Sequence, residues 1–308
     1  MDLDVLFLGT AASAPTARRG LPATLIRRGG EKLLVDCGEG TQRQLVRSVG
    51  LVDIDDLFIT HFHADHVLGI PGLLKTYGLQ ARERRLRIYG PTGLERLFKS
   101  LAPLIGRLPF EIQLTELDAG DELPGEGYRL TCFNVDHGVP ALGYALVEDE
   151  RPGRFDQARA RELGVEPGPD FGRLQSGETV NGVTPDQVLG PARAGRTLVL
   201  AGDGAPCDMT AAEAQGADLL VHEATFMADD AARARETRHS TAGGAARLAA
   251  EAGVKLLALN HISSRYYVRD LVAEAKAEFD PVIVPRDFDR VELPFPESGE
   301  PAHVRVEE

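Results

Sequence analysis

The segment that most constrains this chain is HFHADH, which places His61, His63, Asp65 and His66 within six residues. It holds three of the chain's eight histidines and directly follows the apolar run Leu57–Thr60, a predicted strand. Imidazole suits zinc, and a carboxylate can complete a site that stays open to water. The alternative is a set of surface histidines at a helix start, with Asp65 as the capping carboxylate. So dense a cluster favours metal binding.

The spacing of these side chains also suggests how they divide. His61 and His63 are two residues apart, so they lie on one face of an extended segment. Asp65 and His66 then turn away from the first pair. One short segment could therefore supply ligands to two metal ions.

Further candidate ligands stand where other predicted strands end. His137, Asp203 and His261 each follow an apolar run, which is where α/β folds place ligand-binding residues. A lone histidine there is more often a hydrogen-bonded structural residue, but together these residues supply what a two-metal site still lacks. Asp203 is the natural bridging carboxylate between two ions. Asp36 also ends a strand and suits a partner that orients a ligating histidine.

Strand-like runs alternate with amphipathic stretches along the chain, which favours an α/β fold with sheets inside and helices outside. The predicted strands are Val5–Leu8, Lys32–Asp36, Leu57–Thr60, Arg87–Tyr89, Glu111–Leu117, Leu130–Val135, Leu142–Val147, Thr197–Ala201, Leu219–Val221, Lys255–Asn260 and Val282–Val284. The predicted helices are Gly40–Val49, Val67–Gly78, Gly93–Leu104, Ser240–Ala252 and Val268–Phe279.

One segment interrupts this alternation. Glu150–Gln187 is rich in Gly, Pro, Arg and acidic residues and shows little apolar periodicity. Loops of that length inside a compact domain are uncommon and are often functional or mobile. We interpret Leu163–Gly177 as part of a projecting arm; a disordered insertion without a role is the alternative.

Composition sets weaker limits on location and partners. The formal net charge of −13 argues weakly against a nucleic-acid partner, but a basic face or a metal centre can reverse the sign locally. Cys37, Cys132 and Cys207 make no disulfide framework, so we expect reduced thiols in a cytoplasm. We expect no signal peptide and no membrane span, because MDLDVLFLGT lacks a basic region and no apolar run approaches about 20 residues.

The ordered set of HFHADH, His137, Asp203 and His261 resembles the metallo-β-lactamase superfamily over nearly the whole chain. Within it, further motifs in the same order resemble the ribonuclease Z family. They are FLGTAASAPTARRG (Phe7–Gly20), LLVDCGEGTQRQL (Leu33–Leu45), ITHFHADHVLGIPGLL (Ile59–Leu74), GVEPGPDFGRL (Gly164–Leu174), VTPDQVLGPARAGRTLVLAGD (Val183–Asp203), LLVHEATF (Leu219–Phe226), HSTAGGAA (His239–Ala246) and LNHISSRY (Leu259–Tyr266).

This resemblance implies a fold and an activity. The fold would be a four-layered αβ/βα sandwich, a single domain over residues 1–308 with an exosite arm at roughly 150–178. The enzyme would be a zinc-dependent endoribonuclease that cuts the 3′ trailer from pre-tRNA, leaving a tRNA 3′-OH and a 5′-phosphorylated trailer. It would act as a cytoplasmic homodimer, one subunit's arm gripping the tRNA whose end enters the other's active site.

The resemblance also implies roles for individual residues. Two Zn²⁺ ions per subunit, or Mn²⁺ or Fe²⁺ in their place, would share Asp203. Asp65 would also accept a proton from the attacking water, His239 would donate one to the leaving oxygen, and His222 and Glu223 would support that loop. The first ion would be held by His61, His63, His137 and Asp203, and the second by Asp65, His66, Asp203 and His261.

His239 has a second interpretation. RHSTAGGAA also reads as the start of a helix with Ser240 or Thr241 as the N-cap. The two interpretations are compatible, because a helix N-terminus is itself a favourable place for a phosphate.

Several residues are expected at an RNA surface. Gly168 and Pro169 lie in the stretch that is similar to the family's tRNA-binding arm, and Arg265 and Tyr266 follow His261 closely enough to contact a phosphate or a terminal base. A run of arginines is either a solvated helix end or a second RNA-facing surface; it comprises Arg82, Arg84, Arg85 and Arg87.

Two features depart from the family pattern. Gly204 and Ala205 follow Asp203, where the family commonly has Thr and a basic residue, so the loss of a hydrogen bond or phosphate contact near the site is expected. The arm is also less basic than a tRNA exosite should be, because acidic residues offset its arginines. Its affinity for phosphates is therefore expected to be modest.

Two other functions fit parts of the pattern. The same metals could serve a small-molecule phosphodiesterase, or a lactone or thioester hydrolase of the same superfamily. The chain could instead be an RNA-binding module with a structural zinc. Structural zinc sites are closed and favour cysteine, however, whereas His/Asp ligands leave room for water.

Overall fold

The computed structural model describes residues 1–306, which form two β-sheets flanked by helices. The first sheet has the strand order β15-β14-β1-β2-β3-β4-β5-β6. Its strands are β1 (Leu3–Gly9), β2 (Ala23–Arg28), β3 (Glu31–Val35), β4 (Asp56–Phe58), β5 (Leu86–Pro91), β6 (Ile112–Leu117), β14 (Arg290–Glu292) and β15 (Ala302–Val304).

The second sheet has the order β13-β12-β11-β10-β9-β8-β7. Its strands are β7 (Glu122–Gly125), β8 (Tyr128–Asn134), β9 (Leu142–Glu148), β10 (Thr197–Leu200), β11 (Leu219–Glu223), β12 (Leu257–Asn260) and β13 (Val282–Ile283).

Ten α-helices accompany these sheets in residues 1–306, and none of them is both long enough and apolar enough to cross a membrane. They are α1 (Thr41–Ser48), α2 (Ala64–Val67), α3 (Ile70–Leu79), α4 (Leu94–Ile105), α5 (Gln157–Glu162), α6 (Pro169–Gln175), α7 (Asp208–Glu213), α8 (Ala231–Thr237), α9 (Ala242–Ala252) and α10 (Val268–Lys276).

Alternation along the strands divides the core into layers. On β1, Val5 and Phe7 join the cluster that both sheets share, whereas Leu6 and Leu8 point to the opposite face and pack with α1, α3 and α4. A third cluster lies between the second sheet and α7, α9 and α10. Helix, sheet, sheet and helix therefore follow one another, and the predicted four-layered sandwich is confirmed.

The site is positioned by the parallel parts of the two sheets. β3, β4, β5 and β6 run parallel to one another, and so do β10, β11, β12 and β13. Two hydrogen bonds join the sheets there: Leu142 N donates to Thr60 O (2.9 Å), and the Tyr144 hydroxyl donates to Ile59 O (2.7 Å). The carboxyl ends of strands from both sheets consequently meet along one edge.

The sequence located each predicted strand and helix within a few residues, but it missed short elements. β2, β7, β14 and β15 were not predicted. The last two have only three residues each, too few to show an alternating pattern. β14 is held by pairing with β1, and β15 by pairing with β14, rather than by their own propensity.

The segment between β9 and β10, which contains the predicted arm at 150–178, differs from the loop that its composition suggested. It contains α5 and α6 and has its own hydrophobic cluster. Its two ends are joined by isolated antiparallel β-bridges between the backbones of Arg151 and Arg193 and of Phe155 and Leu189. The hydrophobic cluster of this segment consists of Ala160, Val165, Leu174, Val180, Val183 and Val188, with Phe155, Leu163 and Phe171 packed against it. That residues 1–308 form a single domain stays a prediction.

A buried ion-pair network fastens the base of this segment. Arg196, only 1% exposed, donates from Nε and Nη2 to the two oxygens of Glu148 (2.7 Å each), and Arg28 Nε donates to Glu148 Oε1 (2.8 Å). Burial raises the pKa of Glu148, but the hydrogen bonds from Arg196 and Arg28 lower it by more. Arg196 also donates to Leu293 O (2.7 Å), which ties the C-terminal segment to the same point.

Arg196→Ala is expected to lower the free energy of unfolding by about 3–5 kcal/mol, because it leaves the buried Glu148 carboxylate with only the hydrogen bonds from Arg28 Nε and the backbone N–H of residue 196. Urea unfolding measures this. The control is Arg129→Ala, which removes an exposed pair with Glu122 (3.7 Å) and should change the free energy by less than about 1 kcal/mol. Equal effects of the two substitutions would contradict the assignment.

Candidate active site

A buried aspartate organises the centre of the site. Asp36 follows β3 with a left-handed backbone (φ 61°), which is uncommon outside glycine. Its Oδ1 accepts from Thr60 N (2.8 Å), and its Oδ2 lies 2.7 Å from His66 Nδ1. Thr60 Oγ1 also lies 3.0 Å from His61 Nδ1. Asp36 thereby fixes the rings of two predicted ligands by their Nδ1 atoms and leaves their Nε2 atoms facing the centre.

Three histidines form the first half of the site. His61 Nε2 lies 2.9 Å from His63 Nδ1, and His137 Nε2 lies 3.2 Å from the same atom. Burial, followed by the charge of His66, lowers the pKa of His61 to about 2, and burial with His137 nearby also lowers the pKa of His63. Both rings are therefore neutral at physiological pH, which is the form that binds a metal.

Two carboxylates and two histidines form the second half. His261 Nε2 lies 3.3 Å from Asp65 Oδ2 and 3.2 Å from Asp203 Oδ2, while His66 Nε2 lies 3.7 Å and 3.4 Å from the same oxygens. Burial raises the pKa of Asp203, but the charges of His261 and His66 hold it well below its usual value. The carboxylates are therefore ionised and face the imidazoles.

The donor set fits metal ions. His66 Nε2 is buried and has no hydrogen-bond partner among residues 1–306, which is costly unless something else satisfies it. Ligand atoms of three overlapping groups lie within 4.8 Å of one another: His61 with His63 and His137, His61 with His66 and Asp203, and Asp65 with His66 and His261. Nitrogen and carboxylate donors at this density suit zinc, manganese or iron.

Beside this centre, Glu223 holds His239. His239 Nδ1 lies 2.5 Å from Glu223 Oε1, and the other oxygen of Glu223 accepts from the Thr225 hydroxyl (2.6 Å). Burial lowers the pKa of His239, but its hydrogen bond to Glu223 and the charge there raise it by more. Gly204 N also donates to Glu223 Oε1 (3.0 Å), so the departure after Asp203 leaves a backbone contact in place.

The cap of α9 agrees with the second interpretation of the HST sequence. Thr241 is the N-cap, and its hydroxyl accepts from Gly244 N (3.0 Å). His239 precedes this cap and stacks on His261 with ring centres 5.7 Å apart. The helix start and the site histidine therefore coexist, as expected.

His222 lies outside the metal cluster. It is buried on β11, its Nδ1 lies 2.9 Å from Glu223 O, and burial lowers its pKa. Its position next to Glu223 suits the predicted role of supporting that loop.

Sequence reasoning missed the residues that hold these groups in place. Thr60 and Thr225 each bridge a carboxylate and an imidazole; Thr225 Oγ1 lies 2.8 Å from His261 Nδ1. Ser13 N donates to Asp65 Oδ2 (3.0 Å), and Arg238 O lies 3.3 Å from His137 Nδ1. The two threonines stand inside quoted motifs and could have been found by asking what orients each ring. The backbone contacts left no sequence signal.

The predicted RNA-contacting residues are spread over two places. Gly168 and Pro169 lie at the start of α6 in the arm. They are distant from the site histidines in sequence, and α6 packs in the arm's own hydrophobic cluster. Arg265 is exposed, with its guanidinium 5.9 Å from the Phe226 ring, which lies beside His239. The Tyr266 hydroxyl donates to Asp230. Contact of these residues with RNA stays a prediction.

The arginine run after α3 is occupied by structural ion pairs. Arg82 is buried and donates to Asp53 (2.8 Å). Arg84 pairs with Asp55 (2.6 Å), and Arg87 donates to Asp56 (2.5 Å). These contacts fasten the start of β5 and leave little charge for RNA, so the RNA-facing interpretation loses its support.

Fold and site together define a metallohydrolase of the metallo-β-lactamase superfamily, and a family model with that description matches residues 19–147. Curated ribonuclease Z proteins align along nearly the whole chain. The Methanosarcina acetivorans protein is 45% identical over 303 residues, covering 95% of this chain and 99% of its own. The Gemmatimonas aurantiaca protein is 47% identical over 307 residues, with 96% and 98% covered.

A solved structure points the same way. Human tRNase Z, short form, superposes with a TM-score of 0.68 at 28% identity, covering 95% of this chain and all (100%) of the human chain. The chain belongs to the ribonuclease Z family, and it is an endoribonuclease.

Asp36→Asn is expected to weaken metal binding by about 10–100-fold, because the partner that orients His66 and Thr60 is lost. Chelator competition measures this. Asp208→Asn, which changes an exposed carboxylate outside the cluster, is the matched control and should bind metal as the unchanged protein does. Unaltered affinity in Asp36→Asn would show that Asp36 does not orient the ligands.

Proposed function

We propose that this endoribonuclease removes the 3′ trailer from tRNA precursors and leaves a tRNA 3′-OH and a 5′-phosphorylated trailer. The observation that carries the proposal is the His/Asp cluster with the Glu223–His239 pair beside it. Family membership and the likeness to human tRNase Z support tRNA as the substrate.

The metal ions are proposed to be two Zn²⁺ per subunit, with Mn²⁺ or Fe²⁺ as alternatives that the same ligands accept. When bound, such ions would polarise phosphoryl oxygens and lower the pKa of a water toward about 7. One would be held by His61, His63, His137 and Asp203, and the other by Asp65, His66, Asp203 and His261.

Two side chains of this chain would move the protons. Burial raises the pKa of Asp65, but its hydrogen bond with His261 and the charge of His66 lower it by more, so Asp65 is an ionised acceptor for the proton of the attacking water. His239 engages Glu223 through Nδ1, which leaves Nε2 for the leaving 3′ oxygen. Since the pKa of His239 is raised, this ring holds the proton that the ribose oxygen needs.

A labelled pre-tRNA with a 3′ trailer tests the proposal. Zinc-loaded protein should release a tRNA with a 3′-OH and a trailer with a 5′-phosphate, and chelator-treated protein should release neither. Asp65→Ala should bind the precursor and fail to cleave it. An intact precursor under conditions in which an authentic ribonuclease Z cuts it would overturn the proposal, and so would cleavage of only small phosphodiesters.

Glu223→Gln is expected to move the alkaline limb of the kcat profile to lower pH. Glu223 raises the pKa of His239, so protonated His239 persists to higher pH and is lost as pH rises through that pKa. Without the carboxylate, the loss begins earlier. Glu236→Gln, an exposed change on α8, is the control and should leave the limb in place. An unmoved limb in Glu223→Gln would exclude His239 as the acid.

Deleting the arm tests its role in tRNA recognition. Gly153 and Gly190 lie against each other, and Gly190 N donates to Arg154 O (2.9 Å), so residues 154–189 can be removed and the ends joined with little strain. Pre-tRNA cleavage should fall by at least about tenfold through KM, because binding energy from a remote part of the substrate is lost. Cleavage of a small chromogenic phosphodiester should not change; a parallel loss would mean that the deletion damages the centre itself.

We propose a cytoplasmic homodimer in which the arm serves the partner's active site. Unpaired cysteines support the reducing compartment, and the exposed apolar side chains Leu79 on α3 and Leu104 on α4 support a protein contact on that side.

Mixing two inactive forms tests the exchange between subunits. Asp65→Ala keeps the arm and lacks the acceptor, whereas the arm deletion keeps the acceptor. If each arm serves the other subunit, a mixed dimer has one arm that serves one complete active site. By the symmetry of such dimers, each mixed dimer should then have up to about half of the activity of an unchanged dimer. No recovery, with mixed dimers shown to form, would mean that each arm serves its own subunit.

A further inference from the structure

A large cleft lies on the outer side of the first sheet, next to α1. Its volume is about 1450 Å³, and it is bounded by α1, the loop Thr16–Gly20, the stretch 286–290 and β15. Seven arginines and three acidic residues line it. The chain as a whole has a net charge of −13, whereas the lining of the cleft has more arginines than acidic residues.

The acidic lining residues are mostly engaged. Asp287 accepts from Gly20 N (2.6 Å) and Gln44 Nε2 (2.7 Å), and Asp289 lies 3.0 Å from His303 Nε2. Arg19 is equally occupied, since it donates to Pro285 O (2.8 Å). These contacts build the walls of the cleft, and Arg27 and Arg290 are likewise paired, with Asp4 and Glu292.

Three arginines in the cleft are exposed and have no ion pair within residues 1–306: Arg18, Arg43 and Arg47. Arg43 and Arg47 are four residues apart on α1, so their side chains project from the same face. Arg47 lies over the ring of Phe288, with its guanidinium 4.9 Å from the ring centre. A guanidinium plane with an aromatic ring offers both charge and stacking, the combination that binds single-stranded nucleic acid.

The cleft begins close to the active centre. Ser13 N donates to Asp65 Oδ2, and three residues further along the same loop Thr16 lines the cleft. An extended chain covers at most about 3.5 Å per residue, so this separation is no more than about 10 Å along the loop. An RNA strand that passes the centre can therefore continue into the cleft.

The arm offers less charge to RNA. Arg159 pairs with Glu162 (3.0 Å), Arg173 pairs with Asp170 and Glu178, and Arg151 pairs with Glu297 (2.8 Å). Arg154 and Arg161 are its arginines without an ion pair within residues 1–306. The cleft, by contrast, presents Arg18, Arg43 and Arg47 together in one concave space.

We propose that this arginine cleft binds the phosphodiester backbone of the single-stranded 3′ trailer. The inference rests on the proposed function, because it names a second contact of the same substrate. Trailer phosphates would lie against Arg43 and Arg47, with Arg18 at the mouth of the cleft.

The test compares one pre-tRNA body carrying either a single-nucleotide trailer or a trailer of about ten nucleotides, long enough to occupy several phosphate contacts. Arg43→Gln/Arg47→Gln should raise KM for the long trailer by about five- to tenfold with kcat unchanged. The slope of log kcat/KM against log salt should fall by about 1.4, since each lost contact to a single strand accounts for about 0.7. The short trailer should be cleaved as before.

The matched control is Lys75→Gln/Arg107→Gln, which removes two exposed positive charges outside the cleft and should alter neither substrate. Melting temperatures verify that both variants fold. If the Arg43/Arg47 variant cleaves the long trailer normally, or loses equally on both substrates, the cleft does not bind the trailer. Failure of the unchanged protein on both substrates would instead refute the proposed function.

Discussion

The geometry of the site depends on one buried carboxylate. Asp36 is enclosed where β3 ends, and it links the backbone and hydroxyl of Thr60 to the ring of His66. Since Thr60 also reaches His61, one side chain sets the direction of imidazoles on both halves of the cluster. Thr225 repeats the arrangement from the second sheet, between Glu223 and His261. The ligands thus point inward because each ring is held by its outer nitrogen.

Burying so many ionisable side chains costs free energy. The fold reduces that cost by placing carboxylates next to imidazoles. Asp203 and Asp65 lie against His66 and His261, so each group lowers the cost of the other's charge. Metal cations bound by these rings and carboxylates would continue that compensation. Another buried ion pair, Arg196 with Glu148, lies at the base of the arm and serves geometry rather than chemistry.

Much of this could be predicted from the sequence, because the decisive features are local. The alternation of apolar residues located the long strands, and HFHADH placed four candidate ligands on one loop. What escaped prediction depends on contacts between distant residues. Gly20 meets Asp287 across 267 positions, and Ser13 meets Asp65 through a backbone N–H. The arm's helices were missed for a related reason: their apolar residues pack within the arm's own cluster, and the helices have only 6 and 7 residues, too few to show a period.

The arginines of the arm and those of the cleft suit two different ways of binding RNA. Where an arginine already has a carboxylate partner, as Arg173 has in the arm, binding a phosphate must displace that partner and gains little. Such a surface recognises shape, which suits the folded body of a tRNA. Where arginines have no ion pair within residues 1–306, as is the case for Arg43 and Arg47, phosphate contacts release counterions and bind regardless of sequence. Trailers differ in sequence from one precursor to the next, so a contact that reads only the backbone is the kind they require.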